Sequence, residues 1–213
     1  MSDQSRSVEI LDPFYLIVDS ANWVERLVPL GVKLVQLRIK DKPDDDIRAQ
    51  VKAAKAICAA HDCKLVINDY WQLAIEEECE WLHLGQEDLA DADLDAIRAA
   101  NLKLGLSSHD GAELKAALDA KPNYIALGPI YQTILKKMPW APQGLEKLLV
   151  WKKALGDMPL VGIGGLTPER TPDVLRAGAD SAAVVTDILL NDNPEARTRE
   201  WISVTQPWRS AQS

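Results

Sequence analysis

A single phenylalanine among 213 residues, only three cysteines and no long apolar run are the first deficits of this chain. No stretch approaches the ~20 apolar residues that cross a bilayer, which argues against a membrane protein. The opening segment, Met1 to Ser7, is polar and lacks the apolar core of a secretory signal. Cys58, Cys63 and Cys79 show no CxxC spacing. Zinc is therefore not expected, and free thiols in a reducing cytosol are. Cys63 reads as a buried structural thiol. A basic surplus is also missing. Lys and Arg number 24 against 32 Asp and Glu, for a net charge of −8. Nucleic-acid binders normally carry the opposite balance, so no nucleic-acid partner is expected. Any anionic ligand must be held by local cations or backbone N–H groups.

What is present is alternation. Short, nearly continuous apolar runs fall at Phe14–Val18, Leu34–Leu37, Leu65–Ile67, Trp81–Leu84, Leu102–Leu106, Tyr124–Leu127, Leu160–Ile163 and Ser181–Val185. Such runs suit parallel strands buried on both faces. Helical patterns lie between them. Asp44–Ala60 places Ile47, Val51, Ala54 and Cys58 at three- and four-residue steps. Ala112–Ala120 does the same with Leu114 and Leu118. Thr167-Pro168 has the hydroxyl and proline that open a helix, and Gly178 sits where one would end. Eight units averaging roughly 25 residues predict an α/β fold, a closed (β/α)₈ TIM barrel, rather than an open doubly wound sheet. The chain reads as one domain over 1–213, with short polar tails at about 1–12 and 204–213. Tyr131–Gln143, with Pro139 and Pro142, is the longest break and reads as a lid loop. Trp71, Trp81, Trp140, Trp151, Trp201 and Trp208 are expected on helix faces or a subunit contact.

In a barrel the working face lies at the C-terminal ends of the strands. After the second strand, alternation sends Gln36, Arg38 and Lys40 to one side, and Arg with Lys makes an anion clamp. By itself the segment is equally a solvated basic patch. The third strand ends in Asn68-Asp69 and the fourth in Gly85-Gln86-Glu87-Asp88. Asn and Asp also form turns and helix caps, and either run alone favours that reading. Together on neighbouring strands, Asp69 and Asp88 form a hard-oxygen site suited to Mg²⁺. His83 points into the barrel or its rim, as a hydrogen-bonded structural side chain or a metal ligand. Ser107-Ser108-His109 follows the fifth strand and offers donors to phosphate, or merely helix caps. A Ser-His nucleophile is poorly supported, with no carboxylate evident at a telling distance. Gly164-Gly165, ahead of the Thr167 helix start, and Val185-Thr186 complete a phosphate cradle at the last two strands.

The order of these elements resembles the thiamine phosphate synthase family from about Phe14 to Trp201. The family's QLREK reads QLRIK from Gln36; IND lies at Ile67–Asp69; HLGQED runs from His83. The S-x-H element is Ser107 to His109, GPI begins at Gly128, and IGG is Ile163–Gly165. The resemblance implies a (β/α)₈ transferase that joins 4-amino-2-methyl-5-hydroxymethylpyrimidine diphosphate to a thiazole phosphate and releases pyrophosphate. It implies Mg²⁺ on Asp69 and Asp88. It implies pyrimidine diphosphate contacts from Gln36, Arg38, Lys40, Asn68, Ser107 and Lys136, with Ile39 at the altered motif position beside them. The thiazole phosphate would meet Thr133, Gly165, Val185 and Thr186, with Leu135 at an altered position. Lys136, Ser107 and Arg38 would carry the chemistry. Partners would be small molecules, with a homo-oligomer left open.

Three positions depart from the family pattern. Ile39 replaces an acidic residue, Tyr70 replaces an arginine, and Leu135 replaces a hydroxyl in the loop. Two other readings follow. One is the sister barrel, a thiazole tautomerase using His109. The other is a degenerate barrel that binds a thiamine precursor and regulates a partner.

Overall fold

Side-chain parity along the strands decides the architecture. In a computed structural model that describes residues 11–133 and 141–211, every strand is walled on both faces. The strands are β1 (Phe14–Val18), β2 (Leu34–Leu37), β3 (Lys64–Asn68), β4 (Trp81–Leu84), β5 (Lys103–Ser108), β6 (Tyr124–Leu127), β7 (Leu160–Ile163) and β8 (Ser181–Val184). All pair in parallel in sequence order, and β8 returns to β1, closing the barrel. Tyr15, Ile17, Leu34, Val66, Trp81, Tyr124, Ala126, Val161 and Ala183 form the inner core. The alternate residues, among them Leu16, Val35, Ile67, Leu82 and Leu127, join a larger core under the helices. This two-core arrangement follows from a period of two in strands with apolar residues at both parities.

The outer layer comprises α1 (Ala21–Leu27), α2 (Asp44–Ala60), α3 (Trp71–Glu76), α4 (Gln86–Asp91), α5 (Leu94–Ala99), α6 (Gly111–Asp119), α7 (Gly144–Leu155), α8 (Thr171–Arg176), α9 (Thr186–Leu189) and α10 (Pro194–Ala211). Helix α2 buries the four expected residues. Asp44, Asp45 and Asp46 fill its first turn, where they complement the helix dipole.

Several expectations need correction. Helix α8 starts at Thr171, not Thr167. The Thr167 side chain instead hydrogen-bonds Glu169, holding that carboxyl down at about 2. Residues 204–211 are no polar tail: they end α10, where Thr205 is buried. Residue 11 is likewise not tail, since Leu11 is buried in the inner core. Trp81 is not on a helix face but inside the barrel, with Lys64 and Lys103 ammonium groups 5.6 and 5.1 Å from its ring. Trp201 does pack from a helix, stacking on Phe14, the lone phenylalanine, at 5.5 Å. Trp140 lies outside the described residues. All three thiols are free and Cys58 is buried, but Cys63, expected to be buried, is partly exposed, as is Cys79. Burial pushes Cys79 up to about 11, and a bond from Cys58 together with burial raises Cys63.

The two ends of the fold are clamped together. Arg209 reaches Asp12 through Nε and Nη2, at 2.6 and 2.8 Å. Arg209→Ala is expected to cost about 1–2 kcal/mol, because the pair is bidentate yet partly solvated. A thermal melt checks this; an unchanged Tm would show that the clamp contributes nothing.

Two glycines are fixed by close approach. A Cβ on Gly105 would fall within the Tyr124 ring, which crosses that strand. Gly165 has φ +65 and lies against the Gln132 carbonyl, so the loops after β6 and β7 touch there.

Candidate active site

The loops at the C-terminal ends of the strands enclose a cavity of about 670 Å³. That is a usual size for a small-molecule site. Gln36, Arg38, Lys40, Asn68, Asp69, Asp88, Ser107, Thr133 and Val185 all line it. A hollow of about 740 Å³ opens at the other end of the barrel. Among its lining charges, Lys33 pairs with Asp62 and Arg209 with Asp12.

Asp69 sits at φ +67, a conformation that asparagine and aspartate tolerate better than most residues. It does not cap α3, whose N-cap is Tyr70. Its N–H donates to the His83 carbonyl at 2.9 Å, locking the ends of β3 and β4 together. Its carboxylate pairs with Lys40 and lies against Asp88. The Asp88 carboxyl is raised, first by burial and then by the neighbouring Asp69 charge. Two carboxylates facing each other leave a negative site that a divalent cation would relieve. Among the described residues no group of three or more His, Cys, Asp or Glu could hold a metal. A pair of carboxylates is a donor set that fits an ion which takes water and phosphate as its other ligands, as Mg²⁺ does.

Around this pair stand the donors. Arg38 and Lys40 extend past β2 on the cavity side, as alternation requires. Asn68 is 4% exposed, and its Nδ2 has no partner among the described residues. A buried unpaired N–H₂ is costly, and an acceptor from a ligand in the cavity would relieve it. Strand β5 extends to Ser108, which places Ser107 inside and Ser108 outside. Neither serine caps α6; Asp110 does, accepting from the N–H groups of Ala112 and Glu113.

Several expected site residues are not brought to the cavity. Ile39 is 2% exposed and belongs to the outer core. Gly165 gives its carbonyl to Arg170 at 2.6 Å and does not line the cavity. Thr186 begins the four-residue α9 at its rim. The phosphate cradle expected after β7 lacks an immediate helix start, since α8 begins at Thr171. Lys136 and Leu135 lie outside the described residues, as does most of the Tyr131–Gln143 loop read as a lid.

Other participants were missed in the sequence. Gln86 Nε2 donates to the Ser107 carbonyl at 2.6 Å. Glu113 is a carboxylate partner for His109, with its Oε2 2.8 Å from Nδ1. A helical step of four is the signal that would have found it. Ser107 nevertheless pairs with His83 rather than His109, so no Ser-His-Glu line forms. His83 is buried and lowered to about 4, chiefly by burial, which makes it a neutral structural histidine.

A closed parallel barrel with cations, an orphaned amide and paired carboxylates at its mouth defines an enzyme acting on phosphorylated small molecules. A family model described as thiamine monophosphate synthase matches residues 14–188. The chain is 67% identical over 200 residues to the thiamine-phosphate synthase of Rhizobium etli, covering 94% of this chain and 98% of that one. Against the thiamine-phosphate synthase of Salmonella schwarzengrund it is 48% identical, covering 89% and 90%. The solved thiamine phosphate pyrophosphorylase of Pyrococcus furiosus has the same fold, with TM-score 0.82 and 22% identity over 92% of this chain and 96% of that one. The chain belongs to the thiamine monophosphate synthase family, whose members are transferases. Among the described residues, no helix is long and apolar enough to cross a membrane.

Proposed function

We propose that this chain, in the cytoplasm, joins the pyrimidine diphosphate to the thiazole phosphate by a Mg²⁺-assisted dissociative displacement. The observation that carries the reading is the facing Asp69–Asp88 pair beside Lys40, with Arg38, Asn68 and Ser107 lining the same cavity. The bond to the leaving diphosphate breaks first, and the electron-rich aminopyrimidine carries the positive charge at its exocyclic carbon. The thiazole nitrogen then forms the new C–N bond. Mg²⁺ held by Asp69 and Asp88 would supply a Lewis acid for the departing diphosphate. Arg38, Lys40 and the Ser107 hydroxyl would bind its oxygens, with Asn68 Nδ2 filling its missing bond. Lys136 would add a further cation, and Thr133, Val185 and Thr186 would meet the thiazole phosphate. No general base is needed, which fits a neutral His83 and a His109 engaged with Glu113.

The altered motif positions do not point to decay. The Tyr70 hydroxyl donates to the Ile39 carbonyl at 3.2 Å, so two of the three substituted residues meet. Ile39 is packed into the core and leaves Arg38 and Lys40 at the cavity. Turnover of both substrates by the purified protein with Mg²⁺, and its loss on chelation, tests the proposal. Metal-independent binding without turnover would favour the regulatory reading; isomerisation of a thiazole alone would favour the tautomerase.

A pH effect follows from Asp88. Its folded pKa is raised, so a proton competes with the cation at a pH where an ordinary aspartate is fully ionised. Mg²⁺ affinity measured by calorimetry should fall as pH drops through that raised pKa. An affinity that stayed flat until the ordinary aspartate range would contradict it.

A further inference from the structure

Beneath the cavity floor lies a chain of polar groups that the proposed reaction does not use. Gln36 Nε2 donates to the Tyr15 hydroxyl at 2.8 Å. Tyr15 meets the Tyr124 hydroxyl at 3.0 Å. Tyr124 meets His83 Nδ1 at 2.9 Å, and His83 Nε2 meets Ser107 Oγ at 2.9 Å. Only the far end, Ser107, is more than slightly exposed. We propose that Gln36, Tyr15, Tyr124 and His83 form a one-way hydrogen-bond relay that commits the Ser107 hydroxyl to donate into the cavity.

The direction follows from counting protons. Each phenol has one hydrogen, and a buried hydrogen without an acceptor is costly. Burial raises both phenols, so each keeps its proton. Tyr15 accepts from Gln36, so its own hydrogen goes to Tyr124. Tyr124 must then give its hydrogen to His83 Nδ1. The imidazole therefore carries its proton on Nε2 and donates it to Ser107 Oγ. The serine hydrogen is left to point elsewhere, and Ser107 lines the cavity. A charged His83 would leave the Tyr15 hydrogen stranded, so the same count keeps the ring neutral. Run backwards, the relay would turn the Ser107 hydrogen inward and present only lone pairs to an anion. Gly105 makes the relay possible, because any side chain there would block the Tyr124 ring.

Tyr15, Tyr124 and His83 are thus positioning residues that act through Ser107. The inference rests on reading Ser107 as a donor to substrate phosphate, but its direction can be read without substrate. In the full chain labelled with ¹⁵N-histidine, long-range ¹H–¹⁵N correlation reports which ring nitrogen of His83 carries hydrogen; a His83→Gln sample assigns the signal. The expected form is Nε2–H. Gln36→Glu, measured above the pKa of the new carboxyl, offers only an acceptor to Tyr15. It should reverse the whole relay and move the His83 proton to Nδ1, three hydrogen bonds away, an effect that a packing role would not produce. Tyr124→Phe cuts the relay and should lower kcat about tenfold, the worth of one well-placed hydrogen bond. Nδ1–H in the unaltered protein, an unchanged tautomer in Gln36→Glu, or full turnover in Tyr124→Phe would each overturn the proposal. The unaltered protein alone decides the direction should either variant fail to fold.

Discussion

Asp69→Asn is expected to cut turnover by about 10³-fold, equivalent to about 4 kcal/mol of transition-state stabilisation. Asparagine is the informative replacement. It tolerates the left-handed backbone at φ +67, keeps the shape and removes only the charge. Folding should therefore survive, and a loss of activity will report chemistry rather than damage. The same variant makes a second, opposite prediction. Removing the Asp69 charge takes away one of the causes that raise Asp88. The Asp88 carboxyl should move back toward the ordinary range, which ¹³C-detected titration can follow. Near-normal turnover with Mg²⁺ still required would remove Asp69 from the metal site. An unmoved Asp88 would show that burial alone perturbs it.

Gly105→Ala should have the largest effect on stability. The new methyl would overlap the Tyr124 ring, which is fully buried and cannot swing into solvent. Inserting even one carbon into a packed interior costs about 1–3 kcal/mol, and a ring clash belongs at or above the top of that range. For a chain of this size about 3 kcal/mol lowers Tm by roughly 6–12 °C. Displacing Tyr124 would also part it from Tyr15 and His83, so activity should fall with stability. A Tm within about 2 °C of the unaltered protein would mean that the ring has room the structure does not show.

Strand existence was legible because both parities are apolar. β1, β2, β4, β6 and β7 have the bounds read from the sequence. Most misses occur where pairing outlasts apolarity; β8 errs the other way, ending at Val184 although Val185 was read into it. β5 runs on through Ser107 and Ser108 because Ala126 and Leu127 continue the ladder beside them. Asn68 belongs to β3 because it pairs with His83. The false helix start has a local cause as well. A hydroxyl followed by proline occurs at Thr167-Pro168 and again at Thr171-Pro172, and α8 begins at the second. Composition hid the end of α10, where a polar stretch is fastened by Arg209 and the buried Thr205. At the mouth, strand-end logic brought Gln36, Arg38, Lys40, Asn68, Asp69, Asp88 and Ser107 to one cavity. Ile39 entered the expected site only through its place in the family motif; alternation past β2 turns it back to the core, where it lies. The Tyr15–Tyr124–His83 contacts were illegible, because they join side chains across the lumen from strands that are not neighbours.

Barrel closure has a consequence during synthesis. Among the described strands β1 leaves the ribosome first, and one of its two edges waits for β8, which begins at Ser181. At elongation rates of about 5–20 residues per second, that wait is roughly 10–30 s. Throughout it the nascent chain carries an open, apolar strand edge with no partner of its own. Ribosome-bound chains stopped before Ser181 should therefore be captured by a holdase chaperone, and chains released after α10 should not.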